Sequence, residues 1–277
     1  MISHLDHIVY PLPASLFDDV IAQFARAGFR EHTRQVRHSD GRVSAFFRLS
    51  GGYLEFCSLG GGEREEQDGR SSSIWLCSTD LMADVERLSP ARREALAVTR
   101  KAPLGEDAPA WLIANLPARC TDDVRVSVIQ YLRGIGADVA LLVPENGLFA
   151  IVGVSLLCAQ PEQDQRHCFD GLGEVTQHIE TEEGRLSIGH QWLAFLQRDA
   201  QRYSGPVDLA QVPCLVHLAT VDVYRTTSML EAADFALAQV PGLGLIAQSR
   251  VAPSIGLVLD TGLSPDWHQA QLLARRR

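Results

Sequence analysis

The sequence predicts an α+β protein built from four repeats of one strand, helix, three-strand unit (βαβββ), and three observations carry that prediction. Short runs alternate apolar and polar residues with a period of two, and single amphipathic helical stretches separate those runs. The pattern then restarts at intervals of roughly 60 to 75 residues, the mark of an internal repeat. With 277 residues, 46% of them hydrophobic and 21% charged, the chain can bury a sizeable core and is not a candidate for disorder.

The first unit opens with a strand over 5–10, stopped at Pro11-Leu12-Pro13 where proline withdraws backbone donors. Ser15 and Asp18 have the spacing of a capping box, and Leu16, Phe17, Val20, Ile21 and Phe24 give the following helix one apolar face, closed by Gly28. Strands follow over 29–37, 43–49 and 53–58, with turns at Ser39-Asp40-Gly41 and Ser50-Gly51-Gly52. A glycine-rich, charged connector over 60–70 leads to the second unit. There the expectation is a strand over 73–78, a short helix over 80–88 and strands over 110–116 and 124–131. The polar stretch 89–103 reads as a lid or a long connection.

The third unit predicts a strand over 149–158, a helix over 161–171 that starts with proline, a strand over 174–180 and one or two strands over 186–196. The fourth predicts a strand over 214–221 and a helix capped by Ser228, with Glu231 three residues on, carrying Leu230, Ala233 and Leu237. Strands over 243–251 and 255–260 complete it. The chain therefore divides into a first pair of units over 1–134 (1–60 and 72–134), a second pair over 145–265 (148–200 and 212–265) and a tail over 266–277.

The formal charge of −9 argues against nucleic acid as a partner, since phosphate binding needs clustered Lys and Arg that are absent here. No apolar run approaches the length of a membrane span, and no signal peptide is expected from the N-terminus, so the expected location is the cytoplasm. Six cysteines without a C-x-x-C pair read as small core residues in a reducing compartment. No G-x-S-x-G occurs, and neither Gly171-Leu172-Gly173 nor Gly242-Leu243-Gly244 follows a strand and opens a helix, which excludes two common catalytic and dinucleotide signatures.

Two polar side chains interrupt otherwise apolar strands. His7, on a period-two strand, points with Leu5 and Val9 and away from Ile8; Glu55 stands between Leu54 and Phe56. A buried carboxylate there costs several kcal/mol unless a cation or donor meets it. His217 occupies the place of His7 when Cys214-Leu215-Val216-His217-Leu218 is laid over His4-Leu5-Asp6-His7-Ile8. Trp75, Trp111, Tyr131 and Trp192 fall on strands, and an aromatic lining would suit an apolar or aromatic ligand. His190 faces a turn, whereas His4, His32, His38, His167, His178 and His268 lie in polar surroundings and read as surface.

The blocks Leu5-Asp6-His7-Ile8-Val9, Gly28-Phe29 after the helix, and Gly52-Tyr53-Leu54-Glu55-Phe56, in that order, resemble the first module of the vicinal oxygen chelate superfamily, and within it the glyoxalase-like proteins. The weaker repeats extend the resemblance over most of the chain. It implies a glyoxalase/dioxygenase-like fold in which modules form half-barrels around a cavity, with a divalent metal ion (Fe, Mn, Ni or Zn) held by first and last strands of paired modules. By that resemblance His7 matches a first-strand ligand and Glu55 a last-strand one. If the first module pairs with the second, Gln130 is the further last-strand position and Ile74 or Trp75 the first-strand one; if with the fourth, His217 joins, and Asp260 lies one place off register. The metal set carried forward is His7, Glu55 and His217, with Gln130, Tyr131 and Trp75 against substrate. The implied activity is that of a metal-dependent lyase, isomerase or ring-opening dioxygenase acting on a small oxygen-rich molecule. The other class is a metal-free protein of the same fold that binds or sequesters a small molecule, and a homodimer is compatible with both.

Overall fold

The burial pattern of a computed structural model sorts the strands at once, because alternate residues enter a common core. The structure describes residues 2–31, 35–38, 41–59, 71–87, 93–94, 96–101, 110–121, 123–132, 144–172, 181–182, 185–198 and 205–261. One eight-stranded sheet contains β1 (Ile2–Pro13), β2 (Val36–Arg37), β3 (Val43–Leu49), β4 (Gly52–Leu59), β5 (Ser72–Ser78), β6 (Val98–Lys101), β7 (Trp111–Thr121) and β8 (Val124–Tyr131), in the order β2-β3-β4-β1-β5-β8-β7-β6. A second contains β9 (Leu148–Cys158), β10 (Thr181–Glu182), β11 (Arg185–Ile188), β12 (Gln191–Gln197), β13 (Cys214–Thr220), β14 (Phe235–Val240), β15 (Gly244–Ser249) and β16 (Gly256–Asp260). Its order, β10-β11-β12-β9-β13-β16-β15-β14, is the first sheet's order repeated. In each sheet the first strands of two units meet antiparallel, β1 on β5 and β9 on β13. The first unit thus pairs with the second and the third with the fourth.

Helix α1 (Ala14–Arg26) buries Phe17, Val20, Ile21 and Phe24 on one stripe. It ends where Phe29 N–H returns to the Phe24 carbonyl and Gly28 takes φ +80°. Its start differs from the sequence reading: Pro13 occupies the cap with no side-chain bond, and Ser15 lies inside the first turn. Among the described residues, helices α2 (Leu81–Arg87), α3 (Pro161–Leu172) and α4 (Val223–Ala232) follow. Asp222, not Ser228, caps α4, its carboxylate accepting from Arg225 N–H. That helix stops at Ala232 because Asp234 adopts φ 66°, and Leu237 belongs to a strand. The strand expected over 29–37 is reduced to a bridge at Glu31 and the two residues of β2 among those described. Val98–Lys101 forms a strand within the stretch left open, and the strand expected over 174–180 lies outside the described residues.

One core joins the sheets. Leu5, Ile8, Tyr10, Phe24 and Phe56 from the first half pack with Val154, Cys214, Val216, Leu218 and Phe235 from the second. Phe24 meets Phe235 edge-on at 5.4 Å between ring centroids. Residues adjacent to those core positions therefore point away, onto the two remaining sheet faces. On the second sheet that face is filled from within: Val207, Leu209 and Val212, beside the 3-10 turn Leu209–Gln211, pack onto Leu157, Leu215, Ile246 and Val258. No helix among the described residues is long and apolar enough to cross a membrane.

Candidate functional site

On the first sheet the face turned from the core gathers the polar and aromatic side chains of β1, β4, β5 and β8. A β-bulge builds it. Leu5 pairs with Leu76 and His7 with Trp75, so two residues of β1 oppose one step of β5. The bulge corrects the expectation that His7 shares a face with Leu5: Leu5 enters the core with Ile8, while Asp6 and His7 both turn to the site. Asp6 was not legible as a site residue from a strict period of two.

The His7 ring lies between two aromatic planes, Tyr53 at 4.4 Å and 9° and Trp75 at 5.1 Å and 12°. Its Nδ1 is 2.7 Å from Asp6 Oδ2 and its Nε2 is 3.7 Å from Glu55 Oε2. Burial raises the Asp6 pKa, but the hydrogen bond and charge of His7, the charge of His4 and the Tyr131 hydroxyl outweigh it and hold the carboxyl below its ordinary range. Asp6 is thus an acceptor, so His7 Nδ1 donates and Nε2 is the end that faces Glu55. Tyr131 Oη donates to the same Asp6 oxygen at 2.8 Å. On the far side Ser44 Oγ donates to Glu55 Oε1 at 2.7 Å and lies 2.8 Å from His38 Nε2. His38, read from sequence as surface, is tied into the site by that hydroxyl.

The remaining expected residues divide. Trp75 and Tyr131 are in the site. Gln130 is not, because it follows Ile129 onto the opposite face, where its amide accepts from Leu81 N–H and donates to the Thr79 carbonyl at the start of α2. His217 does not join His7 and Glu55: it belongs to the second sheet, and its neighbour Leu218 enters the same core as Ile8, so the two imidazoles leave opposite sides of that core. Strand register makes His217 the counterpart of Trp75, and Gly153 the counterpart of His7. The Trp192 ring crosses Gly153 so closely that a Cβ there would stand 2.4 Å from it. Among the residues sequence reading placed on the surface, His32, His178 and His268 lie outside those described.

His217 Nε2 is bonded to Ser155 Oγ at 2.8 Å, and the ring meets Trp192 edge-on. Burial, with a smaller contribution from the Arg185 charge, lowers its pKa from 6.5 to about 3. The imidazole therefore stays neutral in the fold while the unfolded chain takes up a proton below its ordinary pKa. Stability present above pH 6.5 is expected to fall as the pH drops from there toward 3, at roughly 1.4 kcal/mol per unit of pKa difference. Urea titrations of wild type and His217→Gln across that range check this; parallel pH dependences would refute it.

The donor set can be compared with the metal centre that the sequence resemblance implies. The β1–β4 side offers one nitrogen and one carboxylate, with Asp6 behind the imidazole as an orienting partner. The β5–β8 side presents Trp75, Ser127, Ile129 and Tyr131 at the facing positions. Indole, hydroxyl and alkyl groups do not complete the coordination shell of an ion held by His7 and Glu55, so the residues around that pair do not fit a four-ligand centre.

No family model and no curated protein matches the sequence. Solved structures do. A "xylose isomerase-like TIM barrel/4-hydroxyphenylpyruvate dioxygenase fusion protein" is similar over 100% of this chain, at 11% identity and a TM-score of 0.60, and the chain spans only 53% of that protein's length. A 2,2',3-trihydroxybiphenyl 1,2-dioxygenase from Sphingomonas wittichii is similar over 94% of this chain and 91% of its own, at 11% identity and a TM-score of 0.53. The Mn(II)-bound glyoxalase from Novosphingobium aromaticivorans is similar over 95% and 83%, at 14% identity and a TM-score of 0.53. At such identities the likeness speaks to the fold.

Proposed function

From the premise that this chain has the glyoxalase/dioxygenase-like fold of the vicinal oxygen chelate superfamily, we propose that it is a small-molecule protein whose ligand lies on the face of the first sheet turned from the core and is met by His7 and Glu55 without a resident metal ion. One observation carries this reading. In the neutral Nδ1–H form of His7, Nε2 and Glu55 Oε2 are both acceptors, and they face each other at 3.7 Å amid the aromatic side chains of Tyr53, Trp75 and Tyr131. Two acceptors side by side suit a ligand that brings hydroxyl or enol protons, and the aromatic surround suits a planar apolar body. Glu55 and the His7–Asp6 pair are also bases within reach of such a proton, which supports acid–base turnover as the extension of binding.

Metal-dependent lyase, isomerase or dioxygenase activity is a second reading, favoured by the orienting Asp6 bond on His7 Nδ1. Thermal melting with aromatic diols and α-hydroxyketones, catechol first, separates the two. At a hundredfold excess over Kd the wild type is expected to gain about 2.7 kcal/mol, roughly 5–10 °C, with the gain lost in His7→Ala and Glu55→Gln and kept in the presence of a chelator. A chelator that removes the gain selects the metal reading; a panel that never shifts the melting temperature refutes both.

A further inference from the structure

A second group of donors stands one step along the same strand seam. His4 and Cys77 are directly opposed across β1 and β5, and the bulge turns Asp6 toward them. One nitrogen of His4, one oxygen of Asp6 and the Cys77 sulfur all lie within 4.8 Å of one another. His4 Nε2 faces Asp6 Oδ1 at 3.8 Å, on the carboxylate oxygen not used by His7 and Tyr131.

The hydrogen bonds behind these donors set their polarity. Ser3 Oγ gives its proton to the Cys77 carbonyl at 3.2 Å, so at 2.8 Å from His4 Nδ1 its oxygen accepts. Nδ1 is then a protonated nitrogen, and Nε2 is the nitrogen turned on a carboxylate oxygen. That pairing calls for a positive charge between the two atoms, which a proton on Nε2 or a metal cation in its place supplies. A histidine whose second nitrogen is fixed by an outer partner is also the usual arrangement at a metal ligand.

We propose that His4, Asp6 and Cys77 form a divalent-metal site of the zinc type. Imidazole, carboxylate and thiolate are together a borderline-soft set, and bond lengths of about 2.0–2.3 Å place such ligands close to the spacing seen. Three protein donors leave a fourth position, and the His4 side chain, 32% exposed, keeps a path to it open. This ion would bridge β1 to β5 at the bulge and hold the second oxygen of the carboxylate that orients His7. A further mixed cluster among the described residues, His38, Glu55 and Cys57, lacks this argument, because the Ser44 hydroxyl already lies between His38 and Glu55.

The ligand reading above does not require this ion, and the tests are separable. The full-length chain, stripped and reloaded with Co(II) or Zn(II), is expected to take up one ion and to show thiolate-to-cobalt absorption. His4→Gln and Cys77→Ser should lose the absorption, and Ser3→Ala should weaken binding by about 10–100-fold, as loss of an orienting partner does. Glu55→Gln should bind cobalt as wild type does. His7→Ala removes a partner of the Asp6 carboxylate and should still bind cobalt with the thiolate absorption, no more than about 100-fold more weakly. Each variant's cooperative melt verifies its fold. No stoichiometric uptake overturns the site. So does absorption that survives Cys77→Ser, or an ion lost with His7→Ala and Glu55→Gln but kept in Cys77→Ser.

Discussion

Replacing Gln191 by leucine is expected to cost about 3–6 kcal/mol of stability and to disorganise the first sheet's site, although Gln191 belongs to the second sheet. Its side chain is 2% exposed and crosses between the halves. Oε1 accepts from Leu5 N–H at 2.9 Å, and Nε2 donates to the carbonyls of Gly51 and Ile151 at 2.9 and 3.0 Å. Leucine would leave three buried backbone groups without that partner, and two of them flank the elements that aim His7 and Glu55. Gln248→Leu is the control, since the buried Gln248 side chain also makes three bonds to backbone, partly buried ones to Asp208 and Pro253 within the second half. Urea midpoints should fall in both variants, whereas the ring nitrogen resonances of His7 should move only in the Gln191 variant. Equal resonances in the two would reduce Gln191 to a structural amide.

Gly52→Ala is expected to be the most damaging single methyl, costing about 3 kcal/mol or more. Gly52 opens β4 with φ +156°, and a Cβ there would stand 2.4 Å from the Asp6 carbonyl oxygen. The clash sets the added methyl carbon against backbone at the bulge itself, so no rotamer change relieves it. Gly41→Ala isolates the conformational part: φ is +88° there, but no atom lies within 4 Å of the added carbon, and a loss near 1 kcal/mol is expected. Comparable losses for the two, measured by urea unfolding, would show that the approach to Asp6 is not what requires glycine.

These two positions explain what sequence could and could not disclose. Period-two alternation placed the strands because core packing enforces it, and a first-strand imidazole does face a last-strand carboxylate. The alternation failed at Leu5-Asp6-His7, where a bulge inserts one residue; two polar neighbours inside an apolar run are the local sign of it. Gln130 and His217 were misjudged for another reason: each lies on an apolar strand, and only the pairing of whole units decides which face it takes. Phe235–Val240 carries helical spacing yet forms a strand, because Asp234 in a left-handed conformation ends α4 first. The bonds of Ser44 and Gln191 span 11 and 186 positions, beyond any local pattern for the latter.

The back-to-back layering has a consequence for how the molecule comes apart. With Tyr10 against Cys214 and Phe24 against Phe235 in one oily seam, each half serves as the other's lid against water. Severed from its twin, either half would present that seam bare and associate with whatever apolar surface it met. Heating the intact chain should accordingly give one calorimetric peak for both halves.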